Sequence, residues 1–217
     1  MGKNVYSLVL SSDVINAVDR MAYRLNTSRS NLINQILAEY VSCPTPEMRA
    51  REVLRRAEGL LTALNEPFQL LLQPTDTLLS LRSALTYKYN PTIRYALELY
   101  GDSENSLGEL RAALRTQNET LIRDTNRFYS VWMSLEQRHD GIADSSKEAG
   151  RFRRKLRKTS SEKPLGADEI AQMISDYVRA FDGAMKTFFA NLDDLAAAEQ
   201  EVSDIYLLYR RTRTGFI

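Results

Sequence analysis

The sequence predicts a mainly α-helical protein with a short β-hairpin or meander in the middle. A long, coiled-coil-like antiparallel helical hairpin follows at the C-terminal end. Three observations indicate this fold class. The 217 residues include only nine Gly and six Pro, so few residues interrupt regular structure. Two stretches after residue 102 carry apolar residues every seven positions. A short β-like segment near the start precedes two helical patterns. We therefore divide the chain into regions 1–42, 43–101 and 102–217.

The composition excludes several kinds of site. A single cysteine, Cys43, allows neither an intrachain disulfide nor a thiolate zinc cluster, and a single histidine, His139, allows no His–His metal pair. No glycine-rich phosphate loop is present either. From these absences together we expect no enzyme activity, no cofactor and no metal. No apolar run approaches 18 residues, and the apolar stretch near the N-terminus is too short for a signal peptide. We expect a cytoplasmic protein without a membrane span.

The first forty residues predict one strand and two helices. Residues 5–10 are rich in β-formers, with Tyr6, Leu8 and Leu10 on one face. Apolar spacings of three and four then predict a helix that is capped by Ser12 or Asp13 and ends at Asn26. A second helix follows with Ser28 as its N-cap. Its apolar stripe contains Leu32, Ile33, Ile36, Leu37, Tyr40 and Val41.

These three elements are too small to form a core alone, and a lone strand leaves its edge unpaired. A homodimer in which each strand pairs with its twin resolves both difficulties.

Residues 4–41 resemble the ribbon–helix–helix DNA-binding proteins, such as the methionine and Arc repressors. The resemblance rests on Leu8-x-Leu10, Ser11-Ser12-Asp13-Val14, Val18-Asp19 and Ser28-Arg29-Ser30-Asn31-Leu32-Ile33. It implies that the ribbon of a dimer enters the major groove of double-stranded DNA and that its outward residues meet base edges. Here those residues are Val5, Ser7 and Val9, with Lys3 and Asn4 beside them. It also implies phosphate contacts at Ser28, Arg29 and Ser30, where the second helix begins.

The outward strand positions depart from the family pattern. Family members carry polar or basic residues there, whereas this chain offers one hydroxyl, from Ser7, between two valines. Valine can touch a thymine methyl but cannot form a hydrogen bond. The alternative is that Val5 and Val9 pack on the chain's own later region and that the ribbon serves only dimerisation.

The middle region predicts a helix followed by strands. Thr45 as N-cap and Pro46 at the first helical position begin a helix that runs to about Leu64. Alternating residues over 79–89 and 93–99 flank a turn at 89–92, and residues 68–73 add a short apolar segment. The alternative for 92–99 is a helix, because Ala-Leu-Glu-Leu is a good helix sequence. Four tyrosines lie beside basic residues of this hairpin and either pack across strands or stack single-stranded nucleic acid: Tyr87, Tyr89, Tyr95 and Tyr100 beside Arg82, Lys88 and Arg94.

The last region predicts two long helices that pair as an antiparallel hairpin. The first spans about 103–138 and ends before Gly141, and the second spans about 167–213. Each keeps an apolar residue at every seventh position, and a second copy of the hairpin would complete a four-helix bundle. We expect the helical arms to oligomerise or to bind a protein partner.

A basic tract, residues 147–158, separates the two helices. Its seven bases outnumber its single acid, Glu148. The tract either lies against the acidic stretch 168–204 of its own chain or of a partner copy, or holds nucleic-acid backbone without sequence preference. The candidate backbone contacts are Arg151, Arg153, Arg154, Lys155, Arg157 and Lys158.

The residues and the resemblance together predict a homodimeric DNA-binding protein, a transcriptional regulator of bacterial, phage or plasmid origin. The alternative is a non-enzymatic structural or interaction protein, or a plasmid partition or mobilisation accessory factor. In that case the ribbon only dimerises and the helical arms recruit a partner.

Overall fold

Six helices and a six-stranded antiparallel sheet make up the part of the chain that the computed structural model describes, namely residues 6–72, 75–87, 90–100, 106–157, 165–215 and 217. The helices are α1 (Ser12–Arg24), α2 (Arg29–Tyr40), α3 (Pro46–Leu61), α4 (Glu119–Asp140), α5 (Ala167–Ala190) and α6 (Leu195–Thr212). The strands are β1 (Gln69–Leu70), β2 (Leu78–Ala84), β3 (Thr92–Leu99), β4 (Ser106–Leu114), β5 (Ser145–Glu148) and β6 (Arg151–Arg157). Helix accounts for 54% of the described residues and strand for 19%, which makes this a mixed α/β fold.

The prediction of a mainly helical protein with a short hairpin is therefore wrong. Three strands lie where the sequence indicated helix or an irregular connection: β4 begins the stretch assigned to the first long helix, and β5 and β6 form from the tract between the helices. The stretch assigned to the second long helix also contains two helices, α5 and α6, which residues 191–194 separate. Asp194 accepts hydrogen bonds from the backbone N–H groups of Ala196 and Ala197 and so starts α6 anew.

The sheet has strand order β1-β2-β3-β4-β6-β5, with every neighbouring pair antiparallel. Along β2, β3 and β6, buried and more exposed residues alternate, as expected when one face is covered and the other is open. The covered face packs on the helices that follow the N-terminal region. Phe181 of α5 illustrates this packing, because its ring lies 4.9 Å from that of Phe152 on β6 and 6.3 Å from that of Tyr95 on β3.

Several helix boundaries confirm what the sequence indicates. Ser28 accepts a hydrogen bond from the backbone of Asn31, and Thr45 caps α3 with Pro46 in the first turn. Asn26 takes a left-handed conformation after α1 (φ 48°), and Gly141 does so after α4 (φ 66°). The predicted cap of α1 is wrong, because Ser11 occupies the N-cap position and its side chain makes no capping bond.

The N-terminal region stands apart from the main core. The helices α1 and α2 pack on each other, and the main cluster of buried apolar side chains begins at Ala50. Within 6–41 only Ala22, Leu32 and Ala38 are buried. No helix among the described residues is long and apolar enough to cross a lipid bilayer.

Candidate nucleic-acid interface

The N-terminal region exposes most of its large apolar side chains. Of seventeen such exposed side chains among the described residues, twelve lie between Tyr6 and Val41: Tyr6, Leu8, Val9, Leu10, Val14, Met21, Tyr23, Leu25, Ile36, Leu37, Tyr40 and Val41. Leu8 is 55% exposed and Leu37 is 49% exposed. A monomeric soluble protein seldom leaves so many apolar groups together in water. In the single chain, these apolar side chains of the region that the sequence assigns to dimerisation therefore stay exposed to solvent.

The residues predicted to meet bases lie in or before the segment 6–11. Lys3, Asn4 and Val5 are outside the described residues. Ser7 and Val9 are exposed, and the single chain forms no strand over 6–11. A ladder needs a second strand, and the predicted partner of this one is the same segment of another copy. Pairing between copies therefore stays a prediction.

The beginning of α2 presents two backbone donors. The Ser28 hydroxyl accepts from the Asn31 N–H at 3.2 Å, and the Ser28 carbonyl accepts from the Leu32 N–H at 3.0 Å. Among the described residues, the N–H groups of Arg29 and Ser30 find no acceptor. Because they lie at the positive end of the helix dipole, these two groups are suited to a phosphate oxygen.

The Arg29 side chain is engaged elsewhere. Its Nε donates to Asp19 Oδ1 at 2.5 Å and its Nη2 donates to Asp19 Oδ2 at 2.6 Å, so a fork joins α2 to α1. These hydrogen bonds lower the pKa of Asp19. The predicted phosphate contact of Arg29 is therefore available through its backbone, while its guanidinium is bound to Asp19 of α1. The role of Asp19 was missed, although Asp19 belongs to the Val18-Asp19 pair on which the resemblance rests.

The basic tract is divided by the pleat of β6. Arg151, Arg153, Lys155 and Arg157 are exposed on the open face, whereas Arg154 points into the core and is 2% exposed. The inclusion of Arg154 among the backbone contacts is therefore wrong, since a phosphate cannot reach it in this fold. Lys158 lies outside the described residues.

Arg154 is held in a buried polar network. Its Nε lies 2.7 Å from Glu136 Oε1, its Nη2 donates to the Ile217 carbonyl oxygen at 2.6 Å, and its guanidinium carbon is 4.4 Å from the centre of the Tyr177 ring. Glu136 also accepts from the hydroxyls of Tyr177 and Ser145. Burial raises the pKa of Glu136, against the opposing charge of Arg154. The network joins the sheet to α4 and α5 and is structural.

The acidic partners of the tract differ from those considered in the sequence. Arg157 pairs with Asp144 at 2.8 Å, and Arg153 approaches Glu109 at 3.4 Å. Within the described residues of one chain, no ion pair joins the tract to the acidic stretch 168–204. The described part of the tract therefore forms no ion pair with the acidic helices of its own chain.

The middle tyrosines divide between packing and the open face. Tyr95 is 2% exposed and lies on the covered face, and the Tyr87 ring contacts that of Phe189 at 5.7 Å. Both support cross-strand and core packing over stacking on nucleic acid. Tyr89 and Lys88 lie outside the described residues, while Tyr100 is 37% exposed.

Comparison with known proteins adds no assignment. No protein-family model, curated protein or solved structure matches this chain.

Proposed function

We propose that the chain is a homodimeric DNA-binding protein and acts as a transcriptional regulator. In the dimer, the segments around 5–10 of two copies pair as an antiparallel ribbon that enters the major groove. The observation that carries the proposal is the exposed apolar face of the N-terminal region, from Tyr6 to Val41. A second copy is the occupant that would cover this face and pair the strand edge at the same time.

The start of α2 supports the same proposal. The exposed N–H groups of Arg29 and Ser30 donate to one phosphate oxygen on each side of the ribbon, while the hydrogen bonds from the Arg29 side chain to Asp19 join α2 to α1. Phosphate contacts of this kind set register and orientation, and the ribbon side chains supply the sequence preference. Because Val9 offers no hydrogen bond, we expect that preference to be modest and to include thymine methyl contacts.

Sedimentation equilibrium and an electrophoretic shift assay on a pool of genomic duplexes test the dimer. Wild type is expected to be dimeric and to shift DNA. The Leu8→Asp/Leu10→Asp variant is expected to be monomeric and to lose DNA binding, because each carboxylate would be buried in the paired ribbon. The matched control is Leu64→Asp/Leu208→Asp, which changes leucines that are 93% and 54% exposed outside the N-terminal region. A monomeric wild type, or a dimeric Leu8/Leu10 variant, would contradict the proposal.

A second pair of variants isolates the backbone donor. Both Arg29→Ala and Arg29→Pro remove the fork to Asp19, but only proline also removes the N–H group. Proline is compatible with this first helical position, because Ser28 before it is already extended (φ −81°, ψ 153°). We expect Arg29→Pro to bind DNA more weakly than Arg29→Ala. Equal DNA affinity of the two variants would refute the proposed phosphate contact. A wild-type dimer that does not bind DNA would favour the alternative of an interaction protein.

A further inference from the structure

The open face of the sheet carries an excess of basic side chains. On the described strands, seven bases and three acids point to this face: Arg82, Arg94, Arg111, Arg151, Arg153, Lys155 and Arg157, with Glu98, Glu109 and Glu148. The helices that follow the N-terminal region lie on the other face, where Phe152 and Tyr95 meet Phe181. The open face is therefore a broad surface with an excess of positive charge.

Three of these bases form what we call the arginine row, namely Arg82, Arg94 and Arg151. Arg82 of β2 lies directly opposite Arg94 of β3, and Arg94 is opposite Ala113 of β4, which in turn is opposite Arg151 of β6. Three strand spacings of about 4.8 Å separate the ends of the row, or roughly 14 Å. That length matches about four phosphate-to-phosphate spacings along one strand of duplex DNA, at roughly 3.4 Å each along the axis.

The arginine row differs from its neighbours in forming no ion pair among the described residues, although Glu148 of β5 lies opposite Arg151. Arg111 is paired with Glu98 and Glu109, and Arg157 with Asp144. Among the described residues, by contrast, no ion pair involves the arginine row. Within the described part of the chain, Arg82 donates to the uncharged side chain of Gln69, at 2.9 Å.

Like charges placed directly opposite each other on a sheet destabilise it. The Arg82–Arg94 pair therefore has an electrostatic cost in the unbound protein. A bound polyanion would relieve this cost, since its charges would lie over both guanidinium groups.

The chemistry of the face favours phosphate backbone over bases or protein. Apart from Tyr100 at the end of β3, no described side chain on this face is aromatic, so it offers no series of stacking platforms for single-stranded nucleic acid. Small residues lie between the basic ones, namely Ser80, Ala96 and Ala113, and they allow a flat, charged backbone to approach closely. Apart from Tyr100, the described part of the face also lacks the aromatic anchors that protein interfaces bury.

We infer that the arginine row and the exposed bases of β6 form a second DNA surface, which binds the phosphate backbone of duplex DNA without sequence preference. The choice of duplex DNA rests on the proposed function, because the ribbon would deliver the same molecule. The surface would add affinity and salt dependence, and the ribbon would add sequence preference.

Salt-dependent binding of the full-length chain to a random-sequence duplex tests this surface. The row variant is Arg82→Gln/Arg94→Gln/Arg151→Gln. The control is Arg55→Gln/Arg123→Gln/Arg211→Gln, which removes the same charge from exposed helical positions. Each phosphate contact contributes about 0.9 to the slope of log affinity against log salt, so the row variant should lose about 2.7 of that slope. The control should keep the wild-type slope, and circular dichroism checks that all three proteins are folded.

The outcomes separate this surface from the ribbon. If Leu8→Asp/Leu10→Asp retains random-duplex binding that the row variant loses, the surface stands even though the proposed function fails. If the row variant and the control bind alike while Leu8→Asp/Leu10→Asp loses binding, the surface is overturned and the ribbon stands. If the row variant loses binding to single strands or to anionic vesicles but binds duplex DNA as wild type does, the assignment to duplex DNA is also overturned.

Discussion

Replacing Arg154 by methionine should destabilise the protein far more than the same change at Arg153, its neighbour on β6. Methionine keeps much of the side-chain length but removes the charge. At Arg154 it leaves Glu136 buried, 1% exposed, without its cationic partner. Breaking a buried pair in this way costs about 3–5 kcal/mol. For a chain of this size that is a fall of roughly 6–20 °C in the melting temperature. Arg153 is 61% exposed, so its replacement should change stability by less than about 0.5 kcal/mol.

Urea unfolding of four proteins measures the effect: wild type, Arg154→Met, Glu136→Gln and the double variant. We expect the double variant to be less destabilised than the sum of the single changes, with a coupling of about 0.5–3 kcal/mol. Because burial already raises the pKa of Glu136, the carboxyl in Arg154→Met should protonate readily. The loss of stability caused by Arg154→Met should therefore be smallest below pH 4.3, about the pKa of an unfolded glutamate, and should grow as pH rises. Equal stabilities of Arg154→Met and Arg153→Met, or strictly additive effects, would refute a buried ion pair.

Two further predictions concern the backbone and pH. Gly108→Ala should destabilise by about 1–3 kcal/mol, because a Cβ there would overlap the Glu98 carbonyl oxygen across the β3–β4 pairing. Gly59→Ala, in an open helical position, should stabilise by about 0.5–1 kcal/mol, and urea midpoints compare the two. Burial disfavours the ionised form of Asp140, but hydrogen bonds that include those from Arg213 outweigh it and lower its pKa. The stabilisation by ionised Asp140 is thus present above about pH 4 and is lost as pH falls through its folded pKa. The difference in stability between wild type and Asp140→Asn should therefore decrease as pH falls, which acid unfolding curves measure.

The candidate sites could be predicted from sequence where the signal is local. Ser28 as a cap and the exposed apolar face around Leu8 both follow from short-range patterns. The engagement of Arg29 by Asp19 could not be read in the same way, because those residues are ten positions apart and meet only when two helices pack. Likewise, Arg82 and Arg94 join the face of the β6 bases only through strand order and register.

The two largest errors have physical causes that lie in the sequence itself. Along 151–157, the alternation of Phe152 and Leu156 with charged residues is a period-two signal, but Arg154 occupies an inward position and hides it. A buried arginine is tolerated there only because Glu136, eighteen residues away, pairs with it. Over 103–138, the seven-residue spacing of Leu107 and Leu114 fits a helix, yet both residues belong to β4, next to β3 and β6.

By itself, the sequence determined the local features of this protein. These are the caps at Ser28 and Thr45, the turns at Asn26 and Gly141, and an N-terminal region too small to cover its own apolar face. Such features depend on residues within a few positions of one another. The tertiary structure alone decided that the tract 151–157 is a strand in a six-stranded sheet. It also decided that Arg154 is interior, while Arg151 shares an open face with Arg82 and Arg94. Strand pairing and the burial of charge depend on partners distant in the chain, so only folding brings them together.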